Sequence, residues 1–209
     1  MSNMKDYKIV EDPIISRVED IDFSGSYTYA DYFKWEFDER LEIIKGKIFN
    51  MSPAPGSIHQ RVSGIVFNNI FNYLKGKPCE VFSAPFDVRL YRTSKADEQI
   101  KTVLQPDLCV ICDPSKVDLR GCIGAPDIVV EILSKGNNKK ELKNKYEVYE
   151  EFGVKEYWII HPEEKTFFKY ILNEEGKFVP SRLLTIGDEV ATEVLPGFVL
   201  SLEDVFADR

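Results

Sequence analysis

The chain has 209 residues, 44% hydrophobic and 12% aromatic, with 27 Lys and Arg against 35 Asp and Glu, a formal net charge of −8. That apolar content suits one substantial core, and the length is too short to favour two full domains. The acidic balance excludes strong non-specific attraction to a polyanion, and no apolar run reaches the roughly 20 residues of a membrane helix.

The opening MSNMKDYKIVEDP lacks the apolar centre of a secretory signal, so the expected setting is cytoplasmic, without a membrane partner. Four cysteines do not make a disulfide scaffold at this length, and Cys109, Cys112 and Cys122 read as reduced thiols. Zinc at Cys109 and Cys112 is disfavoured, because residues three apart on a strand point to opposite faces.

Residues 1–26 are polar and aperiodic and read as an N-terminal extension to a single domain over 27–209. Thr28 then suits an N-cap, and a short helix bearing Tyr32, Phe33 and Trp35 precedes a strand, with Glu42 in that helix or at its end. After the turn chemistry of NMSPAPGS, Ser57 can cap a helix in which Ile58, Val62, Ile65, Val66, Ile70 and Leu74 keep helical spacing as far as Gly76.

In CEVFSAPFDVRLY, Phe86, Val88 and Leu90 alternate with Asp87 and Arg89 as in one half-buried strand, and TSKADEQIK reads as a hairpin connection. LCVI after Pro106-Asp107 and IVVEIL after Pro126-Asp127 are nearly unbroken apolar runs, the pattern of central strands covered on both faces. Leu142, Tyr146 and Tyr149 predict a helix over 137–152, which Gly153 ends, and EYWII returns as a strand, giving a β-α-β unit. The stretch KTFFKYILNEEGKFVPSRLL predicts a hairpin turning at Glu175-Gly176, and LPGFVLSLEDVF closes the chain.

Glu131 is the anomaly in this pattern, since a carboxylate inside Ile128-Val129-Val130-Glu131-Ile132-Leu133 is costly to bury unless paired, protonated or metal-bound. If the two central strands are neighbours, Asp107 stands about one strand spacing, roughly 5 Å, from it, a pairing that suits Mg²⁺. Lys145 borders the sheet-packing face of the next helix, from which its ammonium can reach the carboxylates and steady an attacking water and a phosphate. Each element has a plainer use: Pro-Asp pairs often mark turns, and Lys145 sits in a lysine-rich helix that by default faces solvent. His59, in the first turn of its helix, reads as structural in preference to phosphate-binding, and His161 as part of a surface turn.

With these residues in place, the spacing resembles the PD-(D/E)XK nuclease superfamily, Pro106-Asp107 matching its first element and Glu131-Ile132-Leu133 its second. Within it the chain resembles the bacterial restriction-endonuclease-like group often called the Uma-two family, through LEIIKGKIFNMSPAPGSIHQR, QPDLCVI, APDIVVEILS and KYEVYEEFGVKEYWIIHP. The resemblance implies an α/β restriction-endonuclease-like core, a mixed central sheet flanked by helices with additional β-hairpins. It also implies a Mg²⁺ or Mn²⁺ cofactor held by Asp107 and Glu131 with a contribution from Glu42, Lys145 as the catalytic lysine, and DNA as substrate. Leu133 stands where the superfamily usually has its lysine, and Lys45, Lys47, Lys135 and His161 are further departures.

Three functions fit these residues. A metal-dependent endonuclease comes first; a nuclease-fold module that binds nucleic acid or protein without cutting, and a metal-dependent hydrolase of a small phosphorylated substrate, are the alternatives. Cutting two strands invites two sites, hence a homodimer.

Overall fold

In the computed structural model, residues 15–37, 39–51, 56–134 and 139–207 are described. The turn expected within 52–55, Lys135 and the helix start expected at Asn137 lie outside them.

The short helix α1 (Tyr29–Tyr32) begins as expected at Thr28, whose N–H and Oγ1 both donate to the Asp31 carboxylate, at 2.8 and 2.7 Å. The chain then forms a hairpin of β1 (Leu41–Ile44) and β2 (Lys47–Asn50), so Glu42 belongs to a strand and not to the preceding helix. Helix α2 (Ser57–Leu74) follows, with Gly56 in the N-cap place and Ser57 already inside the helix.

The run 79–91, expected as one strand, is split. β3 (Glu80–Ser83) and β4 (Val88–Leu90) enter different sheets, with a cis Ala84–Pro85 bond between them. β5 (Thr102–Leu104) closes the expected hairpin with β4, and β6 (Leu108–Ile111) returns to pair with β3. A small hairpin of β7 (Val117–Asp118) and β8 (Gly121–Ile123) leads into β9 (Ile128–Ile132).

Helix α3 (Lys139–Phe152) ends at Gly153, whose φ of 84° is the left-handed stop that glycine adopts most cheaply. It connects β9 to β10 (Glu156–His161), and the two strands pair in parallel as a β-α-β unit requires. The C-terminal part adds β11 (Thr166–Leu172), β12 (Phe178–Pro180), β13 (Leu184–Thr185), β14 (Glu189–Ala191), β15 (Val199–Ser201) and α4 (Leu202–Val205). His161 ends β10 opposite Thr166 instead of lying in a turn.

One mixed sheet has the order β12-β11-β10-β9-β6-β3, with β13 beside β11, and its central strands β6 and β9 are buried along their whole length. Its two faces divide by strand alternation. Ile128, Val130 and Ile132 meet α2 and the C-terminal elements through Val62, Val66, Ile70 and Leu202. Val129 turns the other way, toward Val148 and Tyr149 of α3 and toward Ile44, Val88 and Leu104. Those last residues belong to a second sheet of order β2-β1-β5-β4-β8-β7, assembled from the hairpins. The α3 side of the β9 strand therefore faces a helix and a second sheet together.

This packing settles three positions. Arg89 is fully buried, because both faces of β4 are covered; its Nη2 pairs with Asp118 at 2.5 Å and its guanidinium lies 5.1 Å from the Tyr29 ring. Phe33 is exposed, and Tyr29 instead fills the core beside Ile43 and Ile100. Cys112 is not a free thiol. The β3–β6 register pairs Glu80 with Ile111, so the next rung brings Cys79 against Cys112, and the two are disulfide-bonded. Cys109 and Cys122 are free and buried.

Candidate active site

Three elements converge where α3 and the two sheets meet. β9 places Glu131 on the same face as Val129, toward α3. β1 supplies Glu42 from the second sheet, and α3 supplies Lys145 and, four residues on, Tyr149 on the same helical face. Glu131, Glu42 and Lys145 are all buried, so each must find partners or destabilise the fold.

They find one another. The Lys145 Nζ lies 3.0 and 3.2 Å from the two Glu131 oxygens and 3.0 Å from Glu42 Oε1, bridging the sheets. Tyr149 donates its hydroxyl to Glu131 Oε1 at 2.9 Å, and the Gln105 backbone N–H donates to Glu42 Oε1 at 3.0 Å.

Asp107 lies beside this cluster. β6 and β9 are antiparallel neighbours with Leu108 opposite Val130, so the next rung of the ladder sets Asp107 opposite Glu131. Its Oδ2 accepts from the Ile132 N–H at 2.7 Å and lies 3.2 Å from His59 Nε2. The sequence-level preference for a structural His59 understated this contact. His59, and not Ile58, occupies the buried stripe of α2, and its Nδ1 is buried with no hydrogen-bond partner among the described residues.

The electrostatics are those of a site overloaded with negative charge. Burial raises the Glu131 carboxyl above the usual range; Lys145 opposes this, while Asp107 and Glu42 push the same way as burial. Burial of Lys145 favours its neutral form, but Glu131 and Glu42 outweigh that and hold the ammonium well above its ordinary range. For His59, burial opposes charging and Asp107 overcomes it, so its pKa is raised.

Three carboxylates thus share one lysine and one histidine, a hard-oxygen donor set that a divalent cation such as Mg²⁺ or Mn²⁺ would complement. Among the described residues no group of three or more His, Cys, Asp or Glu forms a ready metal cage. Asp107 and Glu131 could hold such an ion with water and substrate oxygens completing its shell, which is how Mg²⁺ is usually bound.

All four residues singled out from sequence therefore fall in one region, with Lys145 directly between Glu42 and Glu131 and Asp107 at its edge. Tyr149 and Gln105 were missed. Tyr149 carried the pattern of a core aromatic, which it also is, and the Gln105 contact is made by its backbone.

Comparison with known proteins agrees with this architecture. A family model, Uma2, described as “Putative restriction endonuclease”, matches residues 29–203. Among solved structures, the fold is similar to a protein titled “a putative nuclease belonging to DUF820” from Anabaena variabilis ATCC 29413. The TM-score is 0.67 at 21% identity, over 86% of this chain and 97% of that one. No curated protein matches the chain.

Proposed function

Because the chain belongs to the Uma2 family of restriction-endonuclease-like proteins, we propose that it is a Mg²⁺- or Mn²⁺-dependent phosphodiesterase that cuts DNA, with Asp107 and Glu131 as the metal ligands. One observation carries this: Glu42, Glu131 and Lys145 reach one buried point from three elements, with Asp107 at the adjacent rung. A fold built only for stability gains little from such a cluster, since well-packed apolar residues often do as well as a buried ion pair.

The metal, when bound, lowers the pKa of a coordinated water and offsets charge developing on the phosphate. Lys145 keeps its proton and presents a fixed positive charge to a phosphate oxygen or the attacking water. Glu42 holds that ammonium from the second sheet, which is its part in this site beyond any share in metal binding. Tyr149 fixes Glu131 Oε1, and His59 with the Ile132 N–H fixes Asp107 Oδ2, so both carboxylates are oriented before substrate arrives.

A cytoplasmic setting and a symmetric homodimer belong to the same proposal. Among the described residues, no helix is long and apolar enough to cross a membrane. The direct test is purified protein with linear and circular DNA and Mg²⁺ or Mn²⁺, beside Glu131→Gln. Metal-dependent cleavage lost in the variant is the expected result; cleavage at full rate in Glu131→Gln overturns the assignment.

The alternative is a nuclease-fold module that binds nucleic acid without cutting it. Oligonucleotide affinity without heat of Mn²⁺ binding would favour it.

A further inference from the structure

An acidic chain that handles nucleic acid needs a local basic surface, and the structure has one away from the carboxylates. A cavity of about 360 Å³ opens between the ends of β1, β4 and β5 and the last turn of α3. Lys45, Arg92 and Lys101 line it, with Glu151 as its acidic residue, so three cations against one anion leave two positive charges in excess. Tyr91 and Phe152 add aromatic surface, with the Arg92 guanidinium 5.8 Å from the Phe152 ring.

Two of the cations are held in place. Glu151 pairs with Lys45 at 2.7 Å and with Arg92, and the Lys45 N–H donates to Thr102 Oγ1 at 3.2 Å. Lys45 has a φ of 51°, a left-handed conformation that asparagine or glycine would adopt at lower cost in this two-residue hairpin turn. The hairpin therefore carries a long cationic side chain where turn chemistry favours a short one.

The distance to the carboxylate cluster suits one strand of nucleic acid. Glu151 is six residues beyond Lys145 on α3, about 9 Å at roughly 1.5 Å per residue. Lys45, in the turn just past the end of β1, is three residues beyond Glu42, at most about 10 Å at roughly 3.3 Å per residue.

We infer that this cavity binds the phosphate of a nucleotide, Lys45, Arg92 and Lys101 meeting the anion while Tyr91 and Phe152 contact the base or sugar. The inference builds on the nuclease assignment. It supplies the substrate grip that the carboxylate cluster lacks. The nucleotide is either a unit of the substrate strand or a free mononucleotide, and the test separates these.

The experiment measures anisotropy of a short fluorescein-labelled single-stranded DNA without divalent metal, and calorimetric titration with adenosine monophosphate. Wild type is compared with Arg92→Ala/Lys101→Ala, which removes two exposed side chains; an unchanged melting temperature is the required control for an intact fold. A DNA affinity about tenfold weaker, with the salt slope reduced by about one, supports a strand phosphate in the cavity. Unchanged DNA affinity with lost adenosine monophosphate binding supports a free nucleotide. If neither ligand is affected, the inference fails. Cleavage by Glu131→Gln reports separately on the nuclease assignment, so a cutting Glu131→Gln protein with an impaired double variant would sink that assignment and leave this cavity standing.

Discussion

Two buried glutamates lie on adjacent parallel strands of one sheet, and their surroundings differ. Glu156 on β10 is 1% exposed and accepts from Thr192 Oγ1 at 2.8 Å, the Glu193 N–H at 3.2 Å and Trp158 Nε1 at 2.9 Å. These three donors are neutral, and those of Thr192 and Glu193 tie β10 to the segment after β14, so this carboxylate works as a structural knot. Glu131 on β9 meets a lysine and a tyrosine, with two further carboxylates acting on it electrostatically. Burial of an acid is therefore not by itself a functional signal. The informative difference is whether its neighbours satisfy it or crowd it with like charge.

The difference can be broken at several points. The largest effect is expected from Lys145→Met, which strands Glu42 and Glu131 in the interior and should cost about 3–5 kcal/mol in urea denaturation, with cleavage lost. A near-neutral result would mean that the lysine is not what balances the cluster.

Glu131→Gln should lower DNA cleavage at least about a hundredfold, roughly 2.7 kcal/mol in activation free energy, while changing stability little. Removing one of the crowded charges relieves part of the strain that burial imposes, so a large stability loss here would make Glu131 resemble Glu156. Glu156→Gln should do the reverse, costing about 1–2 kcal/mol of stability by weakening one acceptor while leaving cleavage at the wild-type rate. A cleavage defect there would show that the two regions are not independent.

The smallest effect is expected from Tyr149→Phe, about 1 kcal/mol from loss of the hydroxyl bond to Glu131. Its cleavage rate should fall less than that of Glu131→Gln, because the tyrosine orients a carboxylate without replacing it.

Much of the fold can be read from local pattern. The apolar runs around Val110 and Val130 are central strands, Val62, Val66, Ile70 and Leu74 form the buried stripe of α2, and Gly153 ends α3. Other features depend on partners distant in sequence. Arg89 alternates like a solvent-facing residue but is covered by Tyr29 and Asp118, and Ile58 looks like core at 50% exposure while its neighbour His59 is buried at 8%. A shift of one position in a helix turns a side chain through about 100°, so apolar spacing near a helix start does not settle its inner face.

The sequence by itself determined that Glu131 had to be compensated, because no segment as apolar as Ile128-Val129-Val130-Glu131-Ile132-Leu133 can bury a lone charge. It also determined, through helical phase, that Lys145 would lie near the covered face of α3. Only the tertiary structure decided how the compensation is made. Antiparallel register set Asp107 opposite Glu131, the second sheet brought Glu42 to the far side of Lys145, and β3–β6 pairing joined Cys79 to Cys112. Those are contacts between segments 24 to 103 positions apart, Asp107–Glu131 and Glu42–Lys145 marking the two ends. Periodicity carries each segment's conformation, whereas strand register and sheet packing select which segments meet.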